Sequence, residues 1–218
     1  MHVIIVMTET KPCDDNIPKL KQLFGDPRYF TVTVYDATDM TERDYTINCL
    51  NMMKNETFLL IKDSSICYST NITQDIDDIL AYNKDMYFLS VYNDDCTKYS
   101  SLDNKNITVT THPTSTQAVI YTPNANQAMR SMLDNSTMLV SDILNQQISS
   151  GILSAVAYYP NIIYYDASLA VNNTDYNRLN QCVPIAATSN TTTNTIVWLS
   201  IIAAIILLVS TLVMIRRK

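Results

Sequence analysis

Residues 56–65 read Glu56-Thr-Phe-Leu-Leu-Ile-Lys-Asp-Ser-Ser65, and the fold turns on this stretch. Its middle, 58–61, is a continuous apolar run, the pattern of a strand buried on both faces of a largely parallel sheet. The run stops abruptly at Lys62-Asp63-Ser64-Ser65. Open α/β sheets bind ligands just outside the carboxyl ends of their strands, so Asp63 is the first candidate site residue, with Lys62 and Ser64 beside it.

On the amino side, residues 3–7 are apolar and suit a central first strand. Asp14 or Asp15 can cap a helix that carries Ile17, Leu20, Leu23 and Phe24 on one face and stops at Gly25. Residues 30–35 alternate as Phe-Thr-Val-Thr-Val-Tyr, the two-residue period of a strand. Thr41-Glu-Arg-Asp44 fits a capping box, in which the carboxylate reaches back to the cap N–H. The helix it opens places Tyr45, Cys49, Met52 and Met53 on one face.

On the carboxyl side, Asp63 is expected to cap a turn over 64–69. Thr73 then opens a helix with Ile76, Ile79 and Leu80 inward. The outward Asp75, Asp77 and Asp78 read as a solvated helix start favoured by the dipole rather than as a metal site. Residues 86–92 form another apolar run, followed directly by Asn93-Asp94-Asp95. Paired acids after a strand suit a divalent cation and also suit an ordinary turn. Residues 117–121 read as a strand running into Thr122-Pro123, a helix start with proline at its first position. That helix is expected to bury Ala128, Met129 and Met132. A short helix over 139–148 and short strands over 152–158 and 162–165 complete the pattern. Strands alternating with helices predict an α/β domain with a mostly parallel central sheet flanked by helices.

The end of the chain is of a different kind. Residues 196–215 carry no charge and no proline, and Arg216-Arg217-Lys218 follows. At about 1.5 Å per residue such a helix spans roughly 30 Å, the hydrocarbon thickness of a bilayer, and Trp198 sits where an interfacial aromatic belongs. The expected organisation is a domain over 1–185, a Ser/Thr/Asn-rich stalk over 186–195, a transmembrane helix over 196–215 and a basic tail over 216–218. The lipid bilayer is therefore the first expected partner. Without a signal segment the domain would stay in the cytosol as in tail-anchored proteins, whereas the basic tail points the other way. Six N-x-S/T sequons, at Asn55, Asn71, Asn106, Asn135, Asn172 and Asn190, also favour exposure to the lumen. Orientation is open at this level.

Composition excludes several classes. Without the basic tail, the twelve remaining Lys and Arg stand against 21 Asp and Glu, a charge of −9. No basic groove exists for nucleic acid. With 2 glycines and 2 histidines, the chain has no G-x-G-x-x-G, no P-loop and no G-x-S-x-G elbow, and it is poorly supplied for a His-based triad. The 5 cysteines lack C-x-x-C pairing, which argues against zinc and for buried free thiols.

Three blocks now resemble a known family. They are Tyr45-Thr-Ile-Asn-Cys-Leu-Asn-Met-Met-Lys leading to Phe58-Leu-Leu-Ile-Lys-Asp-Ser-Ser65, then Tyr87-Phe-Leu-Ser-Val-Tyr, and Thr116-Gln-Ala-Val-Ile-Tyr-Thr-Pro-Asn-Ala125. Together with Pro160-Asn-Ile-Ile-Tyr-Tyr-Asp166, they look like the GT-A glycosyltransferases of the lipopolysaccharide/procollagen galactosyltransferase type, as in short proteins of large DNA viruses. The resemblance implies a Rossmann-like fold, a nucleotide-sugar or glycan partner, and a membrane location in a virion or host endomembrane. It also implies a divalent cation, Mn or Mg, held by acids at the end of the strand after the capped helix, where it would neutralise a diphosphate leaving group. Here that position reads Lys62-Asp63-Ser64-Ser65. Asp63 is the one surviving acid, and Lys62 would compete for it or contact phosphate directly.

Three functions follow as expectations. The leading one is a single-pass membrane protein with a degenerate, non-catalytic glycosyltransferase-like domain and no cofactor. The second is an active metal-dependent glycosyltransferase, with Asp63 catalytic, Asp63 and Asp95 on the metal, and Lys62, Ser64, Asp94 and Asp95 on the substrate. The third is an envelope or adhesion glycoprotein whose α/β body is purely structural.

Overall fold

The computed structural model describes residues 1–8, 15–91, 101–102, 106–113, 116–158 and 161–165. The expected stalk, transmembrane helix and basic tail lie outside them. Among the described residues, no helix is long and apolar enough to cross a membrane.

The first half is a doubly wound core. Strand β1 (His2–Met7) leads through α1 (Asn16–Leu23) to β2 (Thr31–Asp36), then through α2 (Glu42–Met52) to β3 (Phe58–Lys62). Both β2 and β3 pair with β1 in parallel, one on each side of it. The chain thus reverses its winding at β1, and the two crossover helices cover opposite faces. Side-chain alternation shows this directly. Val3, Ile5, Leu59 and Ile61 pack with Leu20 of α1 and with Phe24 just past its end, whereas Ile4, Val6, Phe58 and Leu60 pack with Tyr45, Cys49 and Leu50 of α2. A strand buried on both faces has no polar side to present, which is why 58–61 is apolar at every position.

The second half extends the sheet. After β3 come β4 (Ser65–Cys67), α3 (Ile72–Leu80), β5 (Met86–Phe88), β6 (Ser101–Leu102), β7 (Ile107–Val109), β8 (Ala118–Tyr121), α4 (Pro123–Asn135), α5 (Val140–Ser149), β9 (Ala155–Tyr158) and β10 (Ile163–Tyr165). Among the described residues eight strands form one sheet in the order β2-β1-β3-β8-β5-β9-β7-β6, while β10 pairs with β4 in a separate ribbon. Six strands of the large sheet point one way; β8 and β7 run against them. The sheet is mostly parallel, with β8 inserted antiparallel between β3 and β5.

Local chemistry accounts for most helix ends. The Thr41 hydroxyl accepts from the Asp44 N–H, but the Asp44 carboxylate accepts from the Thr41 hydroxyl at 2.7 Å in place of the expected cap N–H. Helix α3 begins one residue before Thr73, because Asn71 caps it by accepting from the Gln74 N–H. Thr122 caps α4 with Pro123 in its first turn, as expected. Asp15 stands at the cap position of α1 but makes no side-chain cap, and Asp14 lies outside the described residues. Met52 is 50% exposed, so it leaves the face assigned to it; the buried stripe of α2 runs through Tyr45, Cys49 and Leu50. In α4 the fully buried positions are Ala125, Asn126, Met129 and Leu133, with Ala128 and Met132 at the margin. The turn expected over 64–69 is instead a strand at 65–67, and Ile152, expected in a strand, is exposed on the bend ahead of the strand that starts at Ala155.

Buried Asn126 ties the helices on one face together. Its amide donates to Leu50 O and Met53 O, both at 2.9 Å, at the end of α2, and its oxygen accepts from Arg130 Nε at 2.9 Å. Asn126→Ala would strip Leu50 O of this donor and leave Met53 O with the Glu56 N–H at 3.2 Å, an expected loss of about 1–2 kcal/mol. Urea denaturation measures it.

Candidate functional site

The reversal of winding at β1 makes the crevice between the carboxyl ends of β1 and β3 the place where a ligand is expected in this architecture. Here the two strand ends are laced together. The Asp63 N–H donates to Val6 O at 2.9 Å, carrying the ladder past the end of β3. The Asp63 side chain, fully buried, accepts from Thr8 on both oxygens: the Thr8 N–H at 3.1 Å and the Thr8 hydroxyl at 3.0 Å. Asn16, the first residue of α1, donates from its amide to Asp63 O at 2.6 Å and Ser65 O at 2.8 Å. On the other side, the Gln117 amide donates to the Ser64 and Ser65 hydroxyls at 3.0 and 2.8 Å. Asp63 therefore bonds across to β1 and does not cap the segment that follows it.

Lys62 points to the opposite face of the sheet, as alternation along a strand requires. Its ammonium donates to Glu42 Oε1 at 2.7 Å and to Thr116 Oγ1 at 2.9 Å, while the Thr116 hydroxyl donates to the same Glu42 oxygen at 2.5 Å. Lys62 thus pairs with Glu42 and does not compete for Asp63. Burial works against the Glu42 charge, but the Lys62 charge and the hydrogen bonds outweigh it and hold the carboxyl below the usual glutamate range. Burial likewise disfavours the Lys62 charge, yet Tyr45 and Glu42 hold its pKa above the ordinary lysine value. Tyr45 OH reaches Glu42 Oε1 at 3.4 Å, and burial pushes its phenol up.

Strand β5 ends on the same rim, one strand beyond β8. Leu89 donates to Ala118 O and accepts from Ile162 and Ile163, and the Val91 N–H donates to Asn161 Oδ1 at 2.9 Å. Between them Ser90 is fully buried, and its hydroxyl has no hydrogen-bond partner among the described residues. Asp94 and Asp95 lie outside those residues. Among the described residues, no three His, Cys, Asp or Glu side chains gather where they could hold a metal ion.

Four sequon asparagines, Asn55, Asn71, Asn106 and Asn135, are exposed; Asn172 and Asn190 lie outside the described residues. Cys49 and Cys67 are free thiols, and burial pushes Cys49 up to about 12. Cys13, Cys96 and Cys182 lie outside the described residues.

Sequence reasoning found Asp63, Ser64 and Lys62 but missed Thr8, Asn16, Glu42, Thr116 and Gln117. Thr8 was open to discovery, since it ends a strand next to β3. The others reach the rim only through the packing of helices and of β8.

No protein-family model matches the chain, and no curated protein sequence matches it. Solved structures give three likenesses. A UDP-glucose pyrophosphorylase complexed with UDP-glucose is 9% identical over 72% of this chain and 90% of its own, with a TM-score of 0.44. A candidate glucose-1-phosphate thymidylyltransferase from Bacillus anthracis, in complex with a sucrose, is 13% identical over 85% and 97%, with a TM-score of 0.43. A197 from STIV is 9% identical over 76% and 93%, with a TM-score of 0.40. At these scores the likenesses decide no chemistry.

Proposed function

We propose that the chain is a single-pass membrane protein whose α/β domain has a glycosyltransferase-like frame without the catalysis, serving as a non-catalytic membrane component. The observation that carries this is the clasp between Thr8 and Asp63. In a working transferase of the expected kind, an acid at the end of β3 would present its oxygens to a cation bridging the substrate's phosphates. Here both oxygens of Asp63 bond Thr8 inside the sheet edge, and Lys62 is held by Glu42 and Thr116. The described residues therefore fit a divalent cation poorly, and Asp63 serves to join two strand ends.

One observation favours an active transferase as a second reading. Strands β3 and β5 end on the same rim with only β8 between them, and Asp94 and Asp95 follow Val91 by three and four residues. Under that reading Asp94 or Asp95 would join Asp63 around a Mn or Mg ion and a nucleotide sugar.

Calorimetric titration of the full chain in detergent with Mn²⁺ and a set of UDP-sugars, paired with a donor-turnover assay, separates the two. The expected result is no binding up to millimolar ligand and no turnover. Saturable Mn²⁺-dependent binding, with turnover abolished by Asp63→Ala and by Asp94→Ala with Asp95→Ala, would establish the transferase instead.

A further inference from the structure

Strand β2 is an edge that nothing in the described structure protects. It pairs with β1 alone. The Thr31 N–H donates to Met1 O and the Ala37 N–H to Met7 O, so the even spacing of a parallel ladder turns residues 31, 33 and 35 toward β1. The backbone N–H and C=O groups of Val32, Val34 and Asp36 then face outward. Natural edges are usually blunted by lysine, proline, a bulge or a very short strand. β2 is six residues of Thr-Val-Thr-Val-Tyr-Asp with none of these. At the other end of the sheet β6 has only two residues. Apolar side chains also flank the open edge. Met40 and Met52 are 43% and 50% exposed, and the Tyr35 hydroxyl accepts from Asn48 Nδ2 at 2.9 Å, one helical turn from Met52.

We infer that β2 pairs antiparallel with β2 of a second copy of this chain, about a twofold axis through Val34, to make one sheet across a homodimer. A twofold axis perpendicular to the sheet keeps each face continuous, so the residues placed opposite each other must share a face. Centring on Val34 sets Val34 against Val34 of the partner subunit, Val32 against Asp36 of the partner subunit, and Thr33 against Tyr35 of the partner subunit. All three outward-facing residues of each strand are then used, giving about six backbone hydrogen bonds. Self-complementarity argues for a second copy as the occupant, since about Val34 every outward-facing backbone group meets its own counterpart and Asp36 never meets Asp36. Asp36 is the only charged residue of β2, and this register places it against a valine. The two Asp36 side chains stand at opposite ends of the pairing. On a chain of net charge −6, a strip whose one charged residue per copy sits at the end of the pairing is where two copies can meet with little repulsion. The pairing is independent of whether the domain turns over a nucleotide sugar.

Analytical ultracentrifugation of the full chain in detergent, over a range of protein-to-detergent ratios, is the first test. The expected result is a concentration-dependent dimer, and Thr33→Lys should weaken it about tenfold or more by placing a lysine on the edge. Thr33 is half-buried, so near-ultraviolet circular dichroism checks that this variant keeps its packing. Disulfide trapping fixes the register without relying on that variant. Val34→Cys should cross-link to itself on mild oxidation, since directly opposed strand residues have a Cα separation suited to a disulfide. Thr33→Cys, which faces Tyr35 of the partner subunit, should cross-link no more than the wild type. A wild-type chain that remains monomeric well above micromolar concentration would overturn the proposal. So would a dimer that Thr33→Lys leaves unchanged, or equal trapping at the two positions.

Discussion

Replacing Asp63 with alanine is expected to lower the folding free energy by about 3–5 kcal/mol, because the substitution strips a buried carboxylate from two donors at once. The Thr8 N–H and hydroxyl both donate to it, and Asp63 has no exposed surface. Nothing apolar added at that point could satisfy the Thr8 N–H. Asp63→Asn should be far milder, about 1–2 kcal/mol. Its carbonyl oxygen still accepts from the Thr8 N–H, and the Thr8 hydroxyl can turn to accept from the new amide. The pair of variants separates a clasp from a metal ligand. A clasp predicts a stability loss graded from alanine to asparagine and visible in denaturation with no cation present. A ligand on the surface of a site predicts near-wild-type stability for both, with Mn²⁺ affinity lost in both. Denaturation curves with and without Mn²⁺ decide between the two.

Lys62→Met should cost about 2–4 kcal/mol, somewhat below the loss typical of a fully buried pair, because Lys62 and Glu42 keep 18% and 33% side-chain exposure. The loss arises from leaving Glu42 half-enclosed without its counter-charge. Combining Lys62→Met with Glu42→Gln should recover part of it, since the neutral pair leaves no charge uncompensated. A double-mutant cycle in urea measures that coupling. The pH dependence has a fixed sign. Glu42 has a folded pKa below its unfolded one, so its contribution is present above about 4.3, the ordinary glutamate value, and is lost as pH falls through the folded value. Lys62 has its pKa raised, so its contribution is complete at neutral pH and is lost only as pH rises beyond the ordinary lysine value of about 10.4. Relative to the wild type, Glu42→Gln should flatten the acid limb of the stability profile below about pH 4.

Much of the frame was legible in the sequence because burial on two faces writes a simple pattern. The run at 58–61, the alternation at 30–35 and the Thr122-Pro123 helix start each identify an element from its own residues, the second of them one residue later than expected, at Thr31–Asp36. The misses share a cause. Ser65–Cys67 and Ile107–Val109 are three-residue strands, too short to show a period, and their partners β10 and β9 lie far along the chain, with only the two-residue β6 pairing locally with the second. Met52 carries an apolar side chain at a helical spacing, but which face of α2 is covered depends on where α4 and α5 pack. At the candidate site, the abrupt end of the apolar run marked Asp63 and its neighbours. Nothing local to residues 62–65 shows that Asp63 turns to Thr8 or that Lys62 turns to Glu42.

By itself, then, the sequence determined a layered α/β body, the strand that carries Asp63, and the shortage of glycines and histidines that bars several chemistries. These follow from composition and period, which act residue by residue. Only the tertiary structure decided what the acid does. The winding reverses at β1 and brings Thr8 beside Asp63 across 55 positions of chain. Alternation along β3 then sends neighbouring Lys62 to the opposite face, where α2 supplies Glu42. A carboxylate's role is set by the donors that surround it, and here those donors come from separate elements that only folding brings together.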